Sequence, residues 1–254
     1  MLKINFIVVL CTLSTLTVVG QESDFVPMSR KEQAEIEKRD YGLLAVSGGF
    51  CFPLGSFSFK EVQDPAAGFA KTGFTINFLD AAHFLSKNVG LGVRWNRHQF
   101  GYAHEAISEW FQVRVPNTTF FVRSDDPWVV HTALFNLVGV LPGKVADLDL
   151  RFGLGYSHIK RPEILLEGFE ASTGYFKYSW LQQATTTSAM VVGFGSNVRF
   201  HLDEDIDVIM TWDVQRSTAR MEVVNVYGVV NEQVETVVQP ISIMAIGLGV
   251  GIRL

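Results

Sequence analysis

The segment SIMAIGLGVGIRL at residues 242–254 alternates large apolar residues with small or charged ones. Side chains point to opposite sides along a strand, so this pattern predicts a β-strand with one bulky apolar face and one face that suits a crowded polar interior. The bulky face consists of Ser242, Met244, Ile246, Leu248, Val250, Ile252 and Leu254, and the opposite face contains Ala245, Gly247, Gly249, Gly251 and Arg253.

The same two-faced alternation recurs along the chain and predicts about eight strands. It is clear at residues 89–96, 148–157, 192–200 and 206–215, and residues 70–79 also fit it. Residues 42–52 and 128–140 have strand-like composition, but alternation alone does not assign their faces.

The connections between these strands alternate in length. The short, turn-like ones are residues 80–88, 141–146 and 202–205, and the long ones are 53–69, 101–127, 161–185 and 217–238. Short turns on one side and long loops on the other are typical of an up-and-down membrane barrel, and an even number of strands places both termini on the turn side. Alternation at residues 111–115 and 224–229 predicts hairpins within two of the long loops.

Composition favours an all-β fold, since glycine contributes 22 residues, phenylalanine 20, and charged residues only 19%. A soluble β-sandwich or lipocalin-like barrel shows the same alternation with its faces reversed. Glycines and arginines on the face opposite the bulky one favour the membrane alternative. No apolar run beyond residue 20 is long enough for a transmembrane helix. We therefore predict an eight-stranded antiparallel up-and-down transmembrane β-barrel over residues 41–254.

The first 40 residues differ in character from the predicted barrel. Lys3, the apolar stretch 4–19 and Gly20 predict a signal peptide over residues 1–20, and residues 21–40 form a charged periplasmic segment. The chain has 21 basic and 26 acidic residues, and the leader carries one of the basic ones, which leaves 20 against 26. This acidic balance argues against nucleic acid as a partner. Loss of the leader also leaves Cys51 as the sole cysteine, so no internal disulfide is expected.

Every second residue of a strand faces the same side, and this alternation also places charged side chains inside the predicted barrel. They are Lys71, Arg94, Asp149, Arg151, Arg199, Asp207, Asp213 and Arg253. Charges in a low-dielectric interior must pair or be solvated, so we predict a structural charge network that fills the lumen, with a narrow pore as the alternative. The histidines His98, His131 and His158 lie near the predicted outer ends of adjacent strands, but alternation points His98 inward and His158 outward. This scatter predicts no metal site and no cofactor and argues against a catalytic cluster.

The chain resembles a known family at two places. Residues 247–254, GLGVGIRL, and residues 87–93, KNVGLGV, are similar to strands of the small outer-membrane β-barrels, which include the OmpA membrane domain, OmpX and PorT-like proteins. The family's closing strand often ends in an aromatic residue, whereas Leu254 stands here. The resemblance implies the outer membrane with periplasmic termini, contact with outer-membrane lipid, and assembly by the barrel-assembly machinery. The closing-strand assembly signal is then Ile246, Leu248, Val250, Ile252 and Leu254.

Function is less determined than fold. The leading hypothesis is a non-enzymatic barrel that acts as a structural element or as an accessory subunit holding another envelope protein through its outer hairpins or its periplasmic arm. An outer-leaflet lipid-modifying enzyme of the deacylase or acyltransferase type and a narrow pore are the alternatives.

Overall fold

The computed structural model describes residues 42–60, 67–123, 126–227 and 231–254. Eight antiparallel strands form a closed ring, in the order β1-β2-β3-β5-β6-β9-β10-β11, and β11 pairs with β1. Their bounds are β1 Gly42–Leu54, β2 Ala70–Ser86, β3 Val89–Tyr102, β5 Trp128–Leu141, β6 Ala146–Arg161, β9 Thr185–His201, β10 Ile206–Tyr227 and β11 Asn231–Arg253. The predicted fold class is confirmed. The signal peptide and the charged segment, residues 1–40, lie outside the described residues.

The ring has a turn end and a loop end. At the turn end, β2 and β3 are joined at Lys87 and Asn88, so both strands are longer than the predicted turn at 80–88 allowed. The backbone of Leu254 bonds to that of Gly42 there, at 3.0 Å. At the loop end, β10 and β11 remain paired as far as Tyr227↔Asn231, which confirms the hairpin predicted around 224–229. The residues at its tip, 228–230, lie outside the described part of the chain.

Five further elements lie at the loop end. They are a short 3-10 helix at Gly55–Ser58, a helix α1 at His104–Arg114, and the strands β4 Thr118–Val122, β7 Ile164–Glu170 and β8 Phe176–Gln182. The three strands extend the sheet sideways from the tip of β10, in the order β10-β8-β7-β4, and we call this the side sheet. No helix among the described residues is long and apolar enough to span a membrane.

The prediction of a hairpin at residues 111–115 is wrong. Phe111 and Val113 lie in or at the end of α1, where Ile107 and Phe111 are one turn apart and both buried. Side chains four residues apart share one face of a helix, so this pair holds α1 against the loop-end core. The apparent strand alternation came from Val113, which is 82% exposed and does not belong to the loop-end core.

A belt of exposed apolar side chains runs around the outside of the ring. Every ring strand contributes to it, for example through Phe50, Phe74, Val93, Phe135, Phe152, Phe194, Met210 and Leu248. Soluble proteins rarely expose apolar patches of more than a few hundred Å², whereas barrels in lipid present such a band. Beyond the belt at the loop end the outward side chains become polar, as at Arg97, Gln99 and Lys160. The chain is therefore a membrane-spanning β-barrel of the outer-membrane type.

The loop end of the barrel is filled by an apolar core. Phe57, from the 3-10 helix, inserts between Phe100 and Trp128, with ring centroids 5.1 and 5.2 Å away, and all three are fully buried. The indole nitrogen of Trp128 donates to the carbonyl of Gly68 at 2.9 Å. Cys51 is buried in the same core and donates its thiol hydrogen to the carbonyl of Phe74.

Candidate functional site

Two arginines and two aspartates form a closed ring of ion pairs in the middle of the barrel. Arg94 lies 2.5 Å from both Asp80 and Asp213, and Arg151 lies 2.5 Å from Asp80 and 3.3 Å from Asp213. Arg151 also donates to the side-chain oxygen of Asn197 at 2.5 Å. All four charged side chains are less than one-tenth exposed. Because each charge has two opposite neighbours, the group is compensated without bulk water.

A second cluster lies nearer the turn end and is centred on Arg199. Its guanidinium makes a two-pronged contact with Asp149, at 2.8 and 3.0 Å, and also reaches Asp147 at 3.2 Å. His201 bridges Asp147 and Asp207, with Nδ1 2.8 Å from the Asp207 carboxylate. Arg199 also lies 3.4 Å from Asp207. Paired contacts of this kind fix both distance and angle, so Arg199 ties the neighbouring strands β6, β9 and β10 together on their lumen side.

The two clusters contain six of the eight charges that the sequence placed in the lumen, and a seventh, Arg253, borders the second cluster. Arg94, Asp213 and Arg151 belong to the ring of ion pairs; Arg199, Asp149 and Asp207 belong to the second cluster. Arg253 lies at the turn end, 3.4 Å from Asp207, and also donates to the carbonyl of Asp203.

The interior placement of Lys71 is wrong. A break in register between Ala70 and Gly73 turns this end of β2, and the Lys71 ammonium contacts the exposed carboxylate of Glu105 at 2.8 Å. The side chain is 40% exposed and lies at the loop end, outside the barrel wall.

Sequence reasoning missed three members of the clusters. Asp80 was assigned to a turn, but β2 continues past it, and a register shift between Asn77 and Leu79 reverses the faces and turns Asp80 inward. No residue pattern signalled this bulge. Asp147 and His201 lie on the same strand faces as Asp149 and Arg199, so extending the predicted strands 148–157 and 192–200 by one residue each would have found both.

The three histidines of the predicted outer strand ends do not come together in one site. His98 is buried inside the barrel and contacts Gln215 at 3.3 Å, whereas His131 and His158 are paired neighbours on the outer surface of β5 and β6. Ser157 points inward to Thr132, at 3.1 Å. No group of three or more His, Cys, Asp or Glu side chains suited to a metal ion occurs within the described residues.

The closing-strand residues Ile246, Leu248, Val250, Ile252 and Leu254 all face outward in the apolar belt and are 44–69% exposed. This placement is the one that a lipid-facing or machinery-facing signal requires. Their role in assembly stays a prediction.

Comparison with solved structures returns small barrels. Neisserial surface protein A shares 10% identity, with a TM-score of 0.45, over 86% of this chain and all of that one. A major outer membrane protein from Thermus thermophilus shares 13%, with a TM-score of 0.49, over 84% and 99%. Ail, the attachment invasion locus protein of Yersinia pestis, shares 11%, with a TM-score of 0.39, over 84% and 99%. These likenesses concern architecture alone. No protein-family model matches the chain, and neither does any curated protein.

Proposed function

We propose that this barrel is a non-enzymatic structural element or accessory subunit of an envelope protein complex, oriented with its turn end in the periplasm and its loop end outside. It holds another envelope protein through the structured loop end or through the charged arm at residues 21–40. Outer-membrane-type barrels present short turns to the periplasm and long loops to the exterior, which supports this orientation.

The observation that carries the proposal is that side chains fill the lumen while the loops form additional secondary structure outside it. The lumen is occupied by ion pairs at one level and by Phe57, Phe100 and Trp128 at the next. The loops, by contrast, build α1 and the side sheet, which have their own aromatic packing: Phe111 lies 5.6 Å from both Phe120 and Trp180. A preformed, rigid surface reduces the entropy lost on association, so it favours protein binding.

Site-specific photocrosslinking in intact cells tests the proposal. A photoreactive phenylalanine analogue at Phe121, which is 51% exposed on β4, is expected to yield one discrete adduct identifiable by mass spectrometry. The matched control is the same analogue at Phe152, also 51% exposed but in the apolar belt, which should give lipid adducts only. A second series across residues 21–40 covers the arm. Absence of a protein adduct from both series would contradict the proposal.

A specific contact favours the lipid-modifying enzyme as a second candidate. His158 Nδ1 lies 3.2 Å from Ser188 Oγ on the outer surface, just beyond the apolar belt, where lipid headgroups are expected. A serine beside a histidine is the minimum for a nucleophile and its base. No carboxylate of the described residues hydrogen-bonds to His158, so the group that orients the base in a triad is not in contact here.

The test of this candidate is the lipid composition of cells that carry Ser188→Ala. The enzyme hypothesis predicts that the mass spectrum of lipid A or phospholipids matches that of the deletion strain. The structural role predicts that deletion, Ser188→Ala and the wild type have the same spectrum.

A further inference from the structure

Strand β4 is the open edge of the side sheet. It pairs with β7 on one side, and no described strand pairs with its other side. The backbone bonds Arg123 N–H to Leu165 O, 2.8 Å, and Ala171 N–H to Asn117 O, 2.9 Å, fix which residues face β7. In an antiparallel pair these alternate, so Thr118, Phe120 and Val122 direct their N–H and C=O groups away from β7, toward the open edge.

A groove of about 420 Å³ runs along this edge. Its floor includes Phe120, Phe121 and Val122, three consecutive residues. Side chains of consecutive strand residues point to opposite faces of the sheet. Three consecutive residues can therefore line one groove only if it lies along the main chain at the edge of β4. The Phe111–Phe120 contact at 5.6 Å holds α1 beside it, and the opposite wall is the polar stripe of α1: His104, Glu105, Ser108, Glu109 and Gln112.

The charge of the groove is negative. Glu105 and Glu109 are its acids, and no Lys or Arg is among its lining residues. The hydrogen bond from Lys71 holds the pKa of Glu105 below its usual range, so this carboxylate stays ionised in mildly acidic media. Lys71 compensates Glu105 through their ion pair at 2.8 Å, whereas Glu109 has no cationic partner among the described residues. Two further cations are engaged elsewhere: Arg114 lies over the Trp110 ring at 3.7 Å, and Arg123 contacts Glu167 at 2.6 Å.

We propose that the β4 edge binds an extended, lysine- or arginine-bearing segment of a partner protein, which adds to the side sheet as a further strand. This inference rests on the proposed function and names its binding site. The main chain of the segment bonds to Phe120 and Val122, and its basic side chains meet Glu105 and Glu109. Strand addition of this kind takes affinity from the backbone and specificity from the side chains. A second copy of this chain is disfavoured because two acidic grooves would face each other.

The test uses the full chain in zwitterionic nanodiscs and three labelled seven-residue peptides. The first alternates lysine with valine and threonine, the second has glutamate in place of lysine, and the third is the lysine peptide with alternate backbone nitrogens methylated. We expect fluorescence polarisation to detect binding of the first peptide only, with an affinity that falls as salt rises.

Two protein variants locate the site. Val122→Pro removes one outward N–H and leaves the β4–β7 bonds in place, so it should weaken binding about tenfold. The double variant Glu105→Gln/Glu109→Gln should weaken peptide binding severalfold and make the affinity less dependent on salt concentration. The control is Glu222→Gln, an exposed acid on the outer surface of β10, which should change neither.

Equal binding of the methylated peptide, insensitivity to Val122→Pro, absence of binding to the wild type, or self-association through β4 would each overturn the inference. If a partner is crosslinked at Phe121 but none of the peptides binds, the inference is overturned and the proposed function stands. Peptide binding without any crosslinked partner would support the groove and contradict the role in an envelope complex.

Discussion

At the scale of single residues, the interior of the barrel depends on carboxylates shared between arginines. Asp80 and Asp213 each contact both Arg94 and Arg151, so neither aspartate has a single partner. A buried charge that loses its partner remains desolvated and uncompensated, which costs far more than the pair contributes in net terms. The arrangement therefore makes each aspartate indispensable to both arginines.

Replacing Asp213 by alanine is expected to lower the free energy of unfolding by about 3–5 kcal/mol, because Arg94 and Arg151 then share one carboxylate. Reversible urea unfolding of the barrel in lipid vesicles measures the change. The control is Lys71→Ala, which breaks an ion pair that is 40% and 69% exposed and should cost about 0–1 kcal/mol. If the two substitutions lower the free energy of unfolding equally, the interior ion pairs are not in a low-dielectric environment where an unpaired charge is costly.

At the scale of strands, close approach of backbones demands glycine at a few inward positions. A Cβ on Gly155 of β6 would lie 1.9 Å from the carbonyl oxygen of Ala133 on β5. Only displacement of a backbone strand relieves such a contact, since no flexible side chain is involved. On the outward face of β5, a Cβ on Gly139 would approach nothing closer than 4.0 Å.

Gly155→Ala is therefore expected to destabilise the barrel by about 1–3 kcal/mol, as overpacked sites do. Gly139→Ala should be neutral or stabilising by up to about 1 kcal/mol, because it reduces the freedom of the unfolded chain without strain. Urea midpoints of the two variants provide the comparison. A stable Gly155→Ala variant would contradict the register of β5 and β6.

Sequence alternation predicted the strands whose two faces differ in chemistry, such as β11 and β6. It could not assign β5, because Val130, Leu134 and Val138 face inward while Phe135 and Leu137 face outward, and both sets are apolar. Alternation also fails across a bulge, which explains both the omission of Asp80 and the misplacement of Lys71 on β2. The helix α1 and the edge of β4 depend on tertiary packing against the loop-end core, which no local pattern contains.

At the scale of the whole molecule, two kinds of packing close the lumen at two different levels. Ion pairs occupy its middle and turn-end region, and an apolar core that includes Phe57 and Trp128 occupies the loop end. An eight-stranded ring has an interior that side chains can fill completely. The pore hypothesis therefore finds no support in the described residues.

The purified protein is expected to produce no stable conductance step in a planar lipid bilayer. The same should hold for Asp213→Ala, because the apolar core at the loop end stays in place when the ion pairs are disturbed. A known porin added to the same bilayer shows that insertion is detectable. Reproducible steps of one size from the wild type would contradict the filled interior.

The central claim is that the ring spans a membrane with its apolar belt in lipid, and spin labels along β6 test it most directly. With Cys51 replaced by alanine, labels are placed at Leu150, Phe152 and Leu154, which are 39–52% exposed in the belt, and at Val145 and Lys160 beyond its two sides. Power saturation in vesicles should show high accessibility to oxygen and low accessibility to a water-soluble nickel chelate at the three belt positions, with the reverse at the two flanking ones. Access of the nickel chelate to Phe152 equal to that at Lys160 would contradict the account.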